Sequence, residues 1–554
     1  MLSTMMQFPL TLAPILERTG RLFGAVEIVS RLPDKSVHRS NYAALCARAR
    51  ALAAALAAAG VGRGDRVATL MWNHAWHLEA YFGVPVSGSV LHTLNLRLHP
   101  DELAYIVNHA GDRVLLVDDV LLPVYEKLRG KVNLERVIVV PTTGQSLPPE
   151  YQSYDDFLKQ GAAGYELPQL DENDAASMCY TSGTTGVPKG VMYSHRSLVL
   201  HSFCAALPDC LDLSQADCVL PIVPMFHANA WGFPYAAGMI GAKQVLPGPN
   251  LDVIGMLDLL EQESVTRAAG VPTIWMGILE ALDRHPGRWR LQPGLRALEG
   301  GSAVPESLIR ALDRHGIEMR QAWGMTEMSP LGTVCTVKSS LSGLSESERT
   351  AVRAKQGIEV PFVEIRAMMG DREVPWDGET MGELHVRGPW IAASYYNLPD
   401  EQERWTADGW FRTGDVVTID HEGYVKIADR TKDLVKSGGE WISSVDLENA
   451  LMGHPAVREA AVIAVPHPKW VERPLAAVVL KDGCPATPEE LRSHLAQKFS
   501  RWQLPDAIVF VPEIPRTSVG KFQKSRLREI FADWEWEKTN GEWEKTNEEA
   551  VPAT

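Results

Sequence analysis

Cysteine is scarce in this sequence and is not arranged in metal-binding pairs. The 554 residues include seven cysteines, at positions 46, 179, 204, 210, 218, 335 and 484, and no C-x-x-C pair occurs. An odd number of cysteines argues against a disulfide framework, and the lack of metal-ligand spacing argues against structural zinc. The pattern is typical of reduced thiols, and we therefore expect a cytoplasmic protein.

A signal peptide and a long uninterrupted apolar run are also missing. The first twenty residues, MLSTMMQFPLTLAPILERTG, lack the charged-then-apolar order of a signal peptide. The most apolar long stretch, residues 219–241, is interrupted by three prolines and by His227 and Asn229. Because a buried active-site wall suits this composition better than a membrane span, we expect no stable membrane insertion.

An excess of positive charge is absent as well. The chain has 54 Lys and Arg against 69 Asp and Glu, a formal net charge of −15. Such a balance does not suit the binding of a polyanion, and we expect no nucleic-acid partner. The length exceeds what one hydrophobic core supports, so several subdomains are expected.

Helix and strand patterns alternate through most of the chain. Residues 41–60 favour a helix closed by Gly60. The segment 60–73 then turns into a strand, and further short buried-strand candidates follow at residues 112–120 and 136–141. This alternation, which resumes beyond residue 190 and lasts to about residue 340, predicts an α/β fold with parallel sheets. Residues 382–397 and 409–430 are shorter, more alternating and glycine-punctuated, which indicates antiparallel β structure.

The pattern changes near residue 430 to helix, strand and helix, as in a small α+β domain. We therefore divide the chain into residues 1–430 and residues 431–554. The tail repeats EWEKTN at 535–540 and at 542–547. The seven-residue offset predicts Trp536 and Trp543 on one helical face, either as a surface appendage or as a self-association stripe.

One short segment, YTSGTTGVPKG at residues 180–190, combines glycines, hydroxyls and Lys189. Glycines let several backbone N–H groups turn toward one anion, and the lysine adds a positive charge. The Walker A pattern GxxxxGK[ST] does not fit, because Gly190 follows the lysine. The segment thus predicts a phosphate-binding loop other than that of a P-loop NTPase, with a flexible surface loop as the alternative.

Six motifs, in chain order, carry a resemblance to the adenylate-forming superfamily: YTSGTTGVPKG, MFHANAWG, QAWGMTE, GWFRTGD, ADRTKDLVKSGGEW and PRTSVGK. This superfamily contains acyl-CoA synthetases, peptide-synthetase adenylation domains and firefly luciferase. The segments SGGEWISS and PHPKWVERP resemble most the medium- and long-chain fatty acyl-CoA ligases, including methylmercaptopropionyl-CoA ligases. The resemblance implies a large N-terminal domain of two doubly wound sheets and a small β-barrel, a mobile C-terminal domain, and a homodimer.

The resemblance implies a binding site for ATP and Mg²⁺. The glycine–threonine loop would hold the β- and γ-phosphates, Trp323 would stack on adenine, and Asp415 would accept the ribose hydroxyls. Glu327, with Thr181, would hold Mg²⁺, which prefers hard oxygen ligands. The complete ATP-binding set is Thr181, Ser182, Gly183, Thr184, Thr185, Gly186, Lys189, Gly300, Gly301, Ser302, Trp323, Gly324, Met325, Thr326, Asp415 and Arg430.

His227 bears on the class of substrate. Amino-acid-activating members of the superfamily carry FDxS at this place, and their aspartate pairs with the substrate ammonium. The present chain has no anion there, so a carboxylic acid with an apolar tail fits better. The bulk of Trp231 favours short or medium chains, and the acyl pocket is assigned to His227, Ala230, Trp231, Gly232 and Gly301.

Catalysis is assigned by the same resemblance to Lys521, together with His227 and Glu327. The ammonium of Lys521 would bridge the attacking carboxylate and the α-phosphate and reduce their repulsion. A hinge at Lys432 would swing the small domain between two half-reactions. The coenzyme A side and the gate of the acyl tunnel are assigned to Lys436, Ser437, Gly438, Gly439 and Trp441.

These assignments imply an acid–CoA ligase that first makes an acyl adenylate with release of pyrophosphate and then an acyl-CoA with release of AMP. Three other activities remain open: the loading of a carrier protein, the ligation of aryl acids, and luciferase-type oxidation. A catalytically silent nucleotide sensor is a further alternative. PKWVERP departs from the aspartate and GE that many relatives carry, which leaves the coenzyme A contacts there open.

Overall fold

The computed structural model describes residues 3–181, 187–301, 303–437, 440–517, 521–534, 536–539 and 542–545. Side chains are described for all of these except residues 440, 537–539 and 542–545. Eight of the predicted site residues therefore lie outside the described residues: Ser182, Gly183, Thr184, Thr185, Gly186, Ser302, Gly438 and Gly439.

Helices occur along the whole length of the chain. The predicted helix at 41–60 is confirmed as a helix that the Asn41 side chain caps by accepting from the amide of Ala44, and the chain leaves it through Gly60 at φ 77°. Among the described residues, every helix is too short or too polar to span a lipid bilayer. The α-helices are α1 (Leu12–Leu22), α2 (Tyr42–Ala58), α3 (Ala75–Val86), α4 (Pro100–Ala110), α5 (Leu122–Glu126), α6 (Tyr154–Leu158), α7 (His195–Ala206), α8 (Phe233–Ile240), α9 (Val253–Gln262), α10 (Pro272–Arg284), α11 (Glu306–Arg314), α12 (Glu346–Arg353), α13 (Ser444–Met452), α14 (Pro488–Leu495) and α15 (Lys524–Ile530).

Strands alternate with these helices in the first 320 residues and dominate afterwards. They are β1 (Glu27–Arg31), β2 (Val37–Asn41), β3 (Arg66–Leu70), β4 (Val90–Thr93), β5 (Asp112–Asp118), β6 (Arg136–Val140), β7 (Gln152–Ser153), β8 (Ala175–Tyr180), β9 (Gly190–Ser194), β10 (Cys218–Pro221), β11 (Lys243–Leu246), β12 (Arg267–Gly270), β13 (Leu295–Glu299), β14 (Ile317–Gly324), β15 (Leu331–Val334), β16 (Ile358–Glu359), β17 (Glu364–Met369), β18 (Arg372–Glu373), β19 (Gly382–Arg387), β20 (Phe411–Ile419), β21 (Val425–Arg430), β22 (Val435–Ser437), β23 (Glu440–Ile442), β24 (Val457–His467), β25 (Val471–Leu480), β26 (Ala507–Phe510), β27 (Trp536–Thr539) and β28 (Glu542–Lys545).

Two large sheets form the core of the first 360 residues. One has the order β7-β6-β5-β3-β4-β8-β9 and is parallel except for β9, which pairs antiparallel with β8. The other has the order β16-β15-β14-β13-β12-β10-β11-β1-β2, with parallel pairing from β14 to β1. Their central strands are buried runs of apolar residues, as parallel strands covered by helices on both faces require. The predicted α/β class is confirmed.

Asn73, three residues beyond the end of β3, joins the two large sheets. Its side-chain amide donates to the carbonyls of Pro221 and Val223, each at 3.0 Å, and its carbonyl oxygen accepts from the amide of Met225 at 2.7 Å. Pro221 is the last residue of β10 in the other sheet, and Val223 and Met225 follow it, shortly before His227. The loop that carries His227 is therefore fixed from both sheets.

The antiparallel part of the large domain is a five-stranded sheet of order β18-β17-β19-β20-β21. The resemblance implies a small β-barrel here. In the described residues the sheet is open instead, because its edge strands β18 and β21 do not pair with each other. Strands β20 and β21 pair in a register that sets Asp415 opposite Arg430. The two residues quoted in separate motifs thus become cross-strand neighbours.

A separate antiparallel sheet follows, beginning at Val435. Its order is β23-β22-β25-β24, with β26 added parallel to β25, and helices α13, α14 and α15 complete this smaller α+β unit. The long β24–β25 hairpin is buried along most of its length. This arrangement agrees with the mixed helix and strand pattern predicted beyond residue 430.

The prediction that Trp536 and Trp543 share a helical face is wrong. They lie on β27 and β28, which form an antiparallel hairpin. The sequence between the two copies contains Asn540-Gly541, a dipeptide that favours tight hairpins, and this signal outweighs the seven-residue spacing. The indole of Trp536 is buried and donates to the carbonyl of Pro466 at 2.8 Å, so this part of the tail packs on the small domain.

Candidate functional site

A cavity of about 270 Å³ lies where the large sheets, the five-stranded sheet and the small domain meet. Strands β8, β13 and β14 all end at it, as expected for a ligand site at the carboxyl ends of parallel strands. The predicted residues that line it are Thr181, Lys189, His227, Trp231, Gly300, Gly301, Trp323, Gly324, Met325, Thr326, Glu327, Arg430, Lys432 and Lys521.

Asp415 is held from two sides at the edge of this cavity. The indole Nε1 of Trp323 donates to its Oδ2 at 2.8 Å, and the Nε of Arg430 lies 2.6 Å from its Oδ1. Asp415 and Trp323 are buried, and the carboxylate of Asp415 raises the pKa of Arg430. The arrangement brings together an aromatic face, a carboxylate and a positive charge. An aromatic face suits a base, a carboxylate suits ribose hydroxyls, and a positive charge suits a phosphate.

Glu327 follows β14 and is only 5% exposed. Its Oε1 accepts a hydrogen bond from the hydroxyl of Tyr395 at 2.5 Å, and its carbonyl accepts from the amide of Ala392. The neighbouring carbonyl of Thr326 accepts from the hydroxyl of Tyr193 at 2.6 Å. Burial, followed by the charge of Glu327, raises the pKa of Tyr395, so this tyrosine remains a donor. The carboxylate is thus held in one orientation in the cavity wall.

Lys189 and Thr181 close the base of the glycine–threonine loop. The amide of Thr181 donates to the carbonyl of Lys189 at 2.9 Å, and the amide of Lys189 donates to Oγ1 of Thr181 at 3.2 Å. The Nζ of Lys189 lies 2.5 Å from Oε2 of Glu401 and 5.1 Å from the ring centre of Tyr395. The lysine therefore points into the cavity between an anion and an aromatic face.

The wall near His227 has an uncommon backbone. Residues 228–232 all have positive φ, from 42° at Ala228 to 78° at Gly232. Asn229 anchors this turn, since its Nδ2 donates to Ser177 Oγ at 3.0 Å and its Oδ1 accepts from Cys179 Sγ at 3.3 Å. The left-handed turn directs Trp231 into the cavity, where its Cη2 lies 3.3 Å from the place that a β-carbon on Gly300 would occupy.

His227 is uncharged in these surroundings. Burial, followed by the charges of Lys521 and Arg97, lowers its pKa to about 3. A neutral imidazole among apolar neighbours such as Val223 and Phe233 gives the wall no charge with which to pair a substrate ammonium. This agrees with the interpretation of the FDxS position as an apolar acyl wall.

Lys521 reaches the cavity from the small domain. Its loop is closed by the amide of Thr517, which donates to the Lys521 carbonyl at 2.7 Å. A β-carbon on Gly301 would lie 3.0 Å from Cε of Lys521 and 3.6 Å from its Nζ. Burial, followed by the charge of Arg430, lowers the pKa of Lys521 to about 8, against the opposing effect of Asp415. The ammonium is thereby brought beside the nucleotide-site residues.

Three residues assigned to the coenzyme A side or the gate lie elsewhere. The cavity walls formed by described residues do not include Lys436, Ser437 or Trp441. The amide of Lys436 donates to Glu472, Ser437 Oγ accepts from Arg473, and Trp441 packs beside the cluster of Val416, Ala428 and Leu434. Of the predicted acyl-pocket residues, Ala230 and Gly232 are buried on either side of Trp231 in the chain and do not line the cavity.

Three polar residues of the site were not found from the sequence. Tyr395 and Arg404 line the cavity, and Glu401 pairs with Lys189. They lie in the segment SYYNLPDEQER, where the paired tyrosines and the charge cluster between two antiparallel strands were an available signal. Glu327, the partner of Tyr395, and Lys189, the partner of Glu401, are more than sixty residues away in sequence, so these contacts could not be predicted.

Comparisons with known proteins agree with this geometry. Residues 20–396 match the AMP-binding enzyme family, and residues 446–521 match the AMP-binding enzyme C-terminal domain. A long-chain-fatty-acid–CoA ligase of Thermus thermophilus is 53% identical over 96% of this chain and 97% of its own. A 3-methylmercaptopropionyl-CoA ligase of Ruegeria pomeroyi is 45% identical over 96% and 99%.

A solved structure is similar over the same extent. The crystal structure of an anthranilate CoA ligase in complex with anthranoyl-AMP superposes with a TM-score of 0.83 at 27% identity and covers 94% of this chain and 98% of that one. The resemblance is therefore confirmed, together with the α/β fold of a large N-terminal domain and a separate C-terminal domain. On its cavity, its fold and these matches, the chain belongs to the AMP-binding enzyme family.

Proposed function

We propose that the protein is an AMP-forming acid–CoA ligase. The observation that carries this proposal is the meeting of Lys521, from the small domain, with Glu327 and Arg430 of the large domain in one cavity, where Arg430 is paired with the buried Asp415. Such a meeting places a mobile cation where an acid and a nucleotide phosphate would come together. Relatives named as fatty-acid and methylmercaptopropionate CoA ligases support the same reaction.

In the first half-reaction, an oxygen of the substrate carboxylate attacks the α-phosphorus of ATP. An O–P bond forms, the bond to the β-phosphate oxygen breaks, and pyrophosphate leaves with its electron pair. Lys521 reduces the repulsion between the two anions, and Arg430 steadies the charge on the transferred phosphate. Asp415 would accept the ribose hydroxyls, and Trp323 would lie against the adenine.

The residues present also fit Mg²⁺. Glu327 contributes a carboxylate in the cavity wall and Thr181 a hydroxyl, and Mg²⁺ in such sites takes one or two protein oxygens together with substrate phosphates. When bound, the ion supplies positive charge to the phosphates. The hydroxyl of Tyr395 donates to Oε1 of Glu327 and would hold this carboxylate in place for the ion. The remainder of the phosphate contacts would come from Lys189 and the glycine–threonine loop.

In the second half-reaction, the thiol of coenzyme A loses its proton and attacks the acyl carbonyl, a C–S bond forms, and AMP leaves as the C–O bond breaks. Lys521 lines the cavity, where it would occupy the space that this attack needs, whereas Lys436 and Ser437 are not among the described residues that line it. We propose that rotation about Lys432 moves Lys521 out of the cavity and brings Lys436 and Ser437 toward it. Trp231, which lies in the cavity, is better placed than Trp441 to close the acyl pocket.

The substrate class that we propose is a short- or medium-chain fatty acid or a methylthioalkanoic acid. Neutral His227 and the bulk of Trp231 support an uncharged tail of limited length. The similarity to an anthranilate CoA ligase supports aryl acids as the second candidate. We propose a cytoplasmic location, which the unpaired cysteines support. We also propose a homodimer, which size-exclusion chromatography with light scattering tests.

A pyrophosphate-release assay tests the activity. Purified protein with Mg-ATP is supplied with straight-chain acids, methylmercaptopropionate, benzoate and cinnamate, first alone and then with coenzyme A or an acyl carrier protein. We expect pyrophosphate with an aliphatic acid and thioester with coenzyme A. If the acyl group is transferred only to the carrier protein, the acceptor is the carrier protein and not coenzyme A. A complete absence of acyl adenylate with every acid would refute the proposal.

A further inference from the structure

A buried ion network lies behind Lys521 and is used by none of the steps above. Lys524, the first residue of α15, follows Lys521 by three positions, and its side chain is only 11% exposed. Its Nζ lies 2.7 Å from Oε1 of Glu448 and 3.9 Å from Oδ1 of Asp429, and it donates to Oγ of Ser444. One lysine thus contacts two carboxylates and a hydroxyl in the protein interior.

The same network joins the two sides of the proposed hinge. Asp429 lies on β21, before Lys432, whereas Ser444 and Glu448 lie on α13, after it. Oδ2 of Asp429 accepts from the amide of Ser444 at 3.1 Å and from its hydroxyl at 2.5 Å. Ser444 Oγ therefore bridges Asp429 and Lys524.

Neighbouring contacts cross the hinge in parallel with this bridge. The hydroxyl of Ser443 donates to the carbonyl of Ala428 at 2.6 Å, and Lys426 pairs with Asp446 at 2.7 Å. These bonds fix the start of α13 on β21. Lys524 connects this junction with the chain segment of Lys521, and Arg528 on the same helix pairs with Asp433, beside Lys432, at 2.6 Å. Of these two contacts of α15, the one through Lys524 is buried and lies three residues from Lys521.

The charges in the network are mutually dependent. Burial alone would lower the pKa of Lys524, but the carboxylates of Glu448 and Asp429 raise it, and the lysine stays charged. Glu448 also accepts from the amide of Val462 at 2.7 Å, which ties the network to β24. Removing one partner from such a group leaves a buried charge uncompensated, which destabilises the arrangement.

We propose that Lys524 is a positioning residue that holds the Lys521 loop in the cavity through this network across the hinge. The inference rests on the proposed function, because it assigns the network to the adenylation half-reaction. Rotation about Lys432 would carry Ser444, Glu448 and Lys524 together away from Asp429. The network then stabilises the arrangement for adenylation and is lost in the arrangement for thioester formation.

The test uses full-length protein and measures the two half-reactions separately. Adenylation is followed as pyrophosphate release from Mg-ATP and an accepted acid, and thioester formation is followed from the matching acyl adenylate and coenzyme A. Ser444→Ala removes the bridging hydroxyl with little change in volume, and Lys524→Met removes the charge. Arg526→Met is the matched control, since Arg526 forms an exposed ion pair with Glu529 on the same helix.

We expect Ser444→Ala and Lys524→Met to lower kcat for adenylation about tenfold or more, with thioester formation maintained or raised. Lys524→Arg, which keeps the charge, should recover much of the adenylation rate, and Arg526→Met should match wild type. If Lys524→Met fails to fold, Ser444→Ala decides. An equal fall in both half-reactions, or unchanged adenylation, would overturn the inference. Wild-type protein without pyrophosphate release would instead refute the proposed function.

Discussion

Cε of Lys521 lies 3.0 Å from the position that a β-carbon would take on Gly301. The contact joins the small domain to the loop after β13, and it is possible because position 301 carries no side chain. The backbone there has φ 101°, which side chains rarely adopt. Residue 301 therefore affects both the local backbone and the seat of the proposed catalytic ammonium.

Gly301→Ala should displace Lys521 and reduce adenylation. We expect the rate of pyrophosphate release to fall about tenfold or more, because a displacement of the ammonium by about 1 Å weakens its contact with both reacting anions. Gly316→Ala is the matched control, since Gly316 also has positive φ (73°) but no atom within 4 Å of an added β-carbon. Both variants should lose similar stability on heating. Equal activity of the two would show that Lys521 does not depend on this contact.

Adenylation should depend on pH through Lys521. Its pKa is lowered to about 8, so the ammonium is present below this pH and is lost as the pH rises through it. We expect kcat for pyrophosphate release to fall above pH 8, measured with acid and Mg-ATP saturating. Lys521→Arg should be slower but should lose this alkaline limb, since arginine stays protonated. An alkaline limb that persists in the arginine variant would assign the titration to another group.

Tyr395→Phe should weaken the use of Mg-ATP. The hydroxyl donates to Oε1 of Glu327, and hydrogen bonds to charged groups contribute about 1.5–3 kcal/mol. We expect KM for Mg-ATP to rise about tenfold while KM for the acid changes little. Tyr396→Phe is the matched control, because Tyr396 is the next residue and its ring packs edge-on against His109. A rise in the KM for the acid alone would place Tyr395 at the acyl pocket.

Val471→Asn should stabilise the small domain. Val471 opens β25 with φ 70° and a side chain that is 72% exposed, and a β-branched residue in this region costs about 1–3 kcal/mol. Asparagine tolerates the left-handed region, so we expect a higher midpoint of thermal unfolding. Val37→Asn, an exposed valine in the extended strand β2, should show no such gain. A lower midpoint for Val471→Asn would mean that its side chain makes contacts that outweigh the strain.

The sequence was informative where a short segment carries its own chemistry. The family follows from the six motifs, and the cavity collects residues from all six of them. Asp415 and Arg430 were quoted in separate motifs, yet only the register of β20 and β21 makes them partners. The roles assigned to Lys432, Lys436 and Trp441 stay predictions.

Contacts between distant segments could not be predicted in this way. Tyr395 reaches Glu327, and Lys524 reaches Asp429, only because separate sheets and helices pack together. The left-handed turn at residues 228–232 has one glycine, at its end, so composition gave no warning of it. The tail was predicted wrongly because a seven-residue repeat fits a helix as well as a hairpin, and cross-strand pairing decided the outcome.

Asn73 has a consequence for the exchange of acyl-pocket segments between relatives. Its side chain satisfies the Pro221 and Val223 carbonyls and the Met225 amide, all of which precede the substrate-facing wall. A chimera that imports this wall beside a different residue at position 73 would leave buried backbone groups without partners. Transplanted specificity therefore requires that both pieces be taken from the same parent.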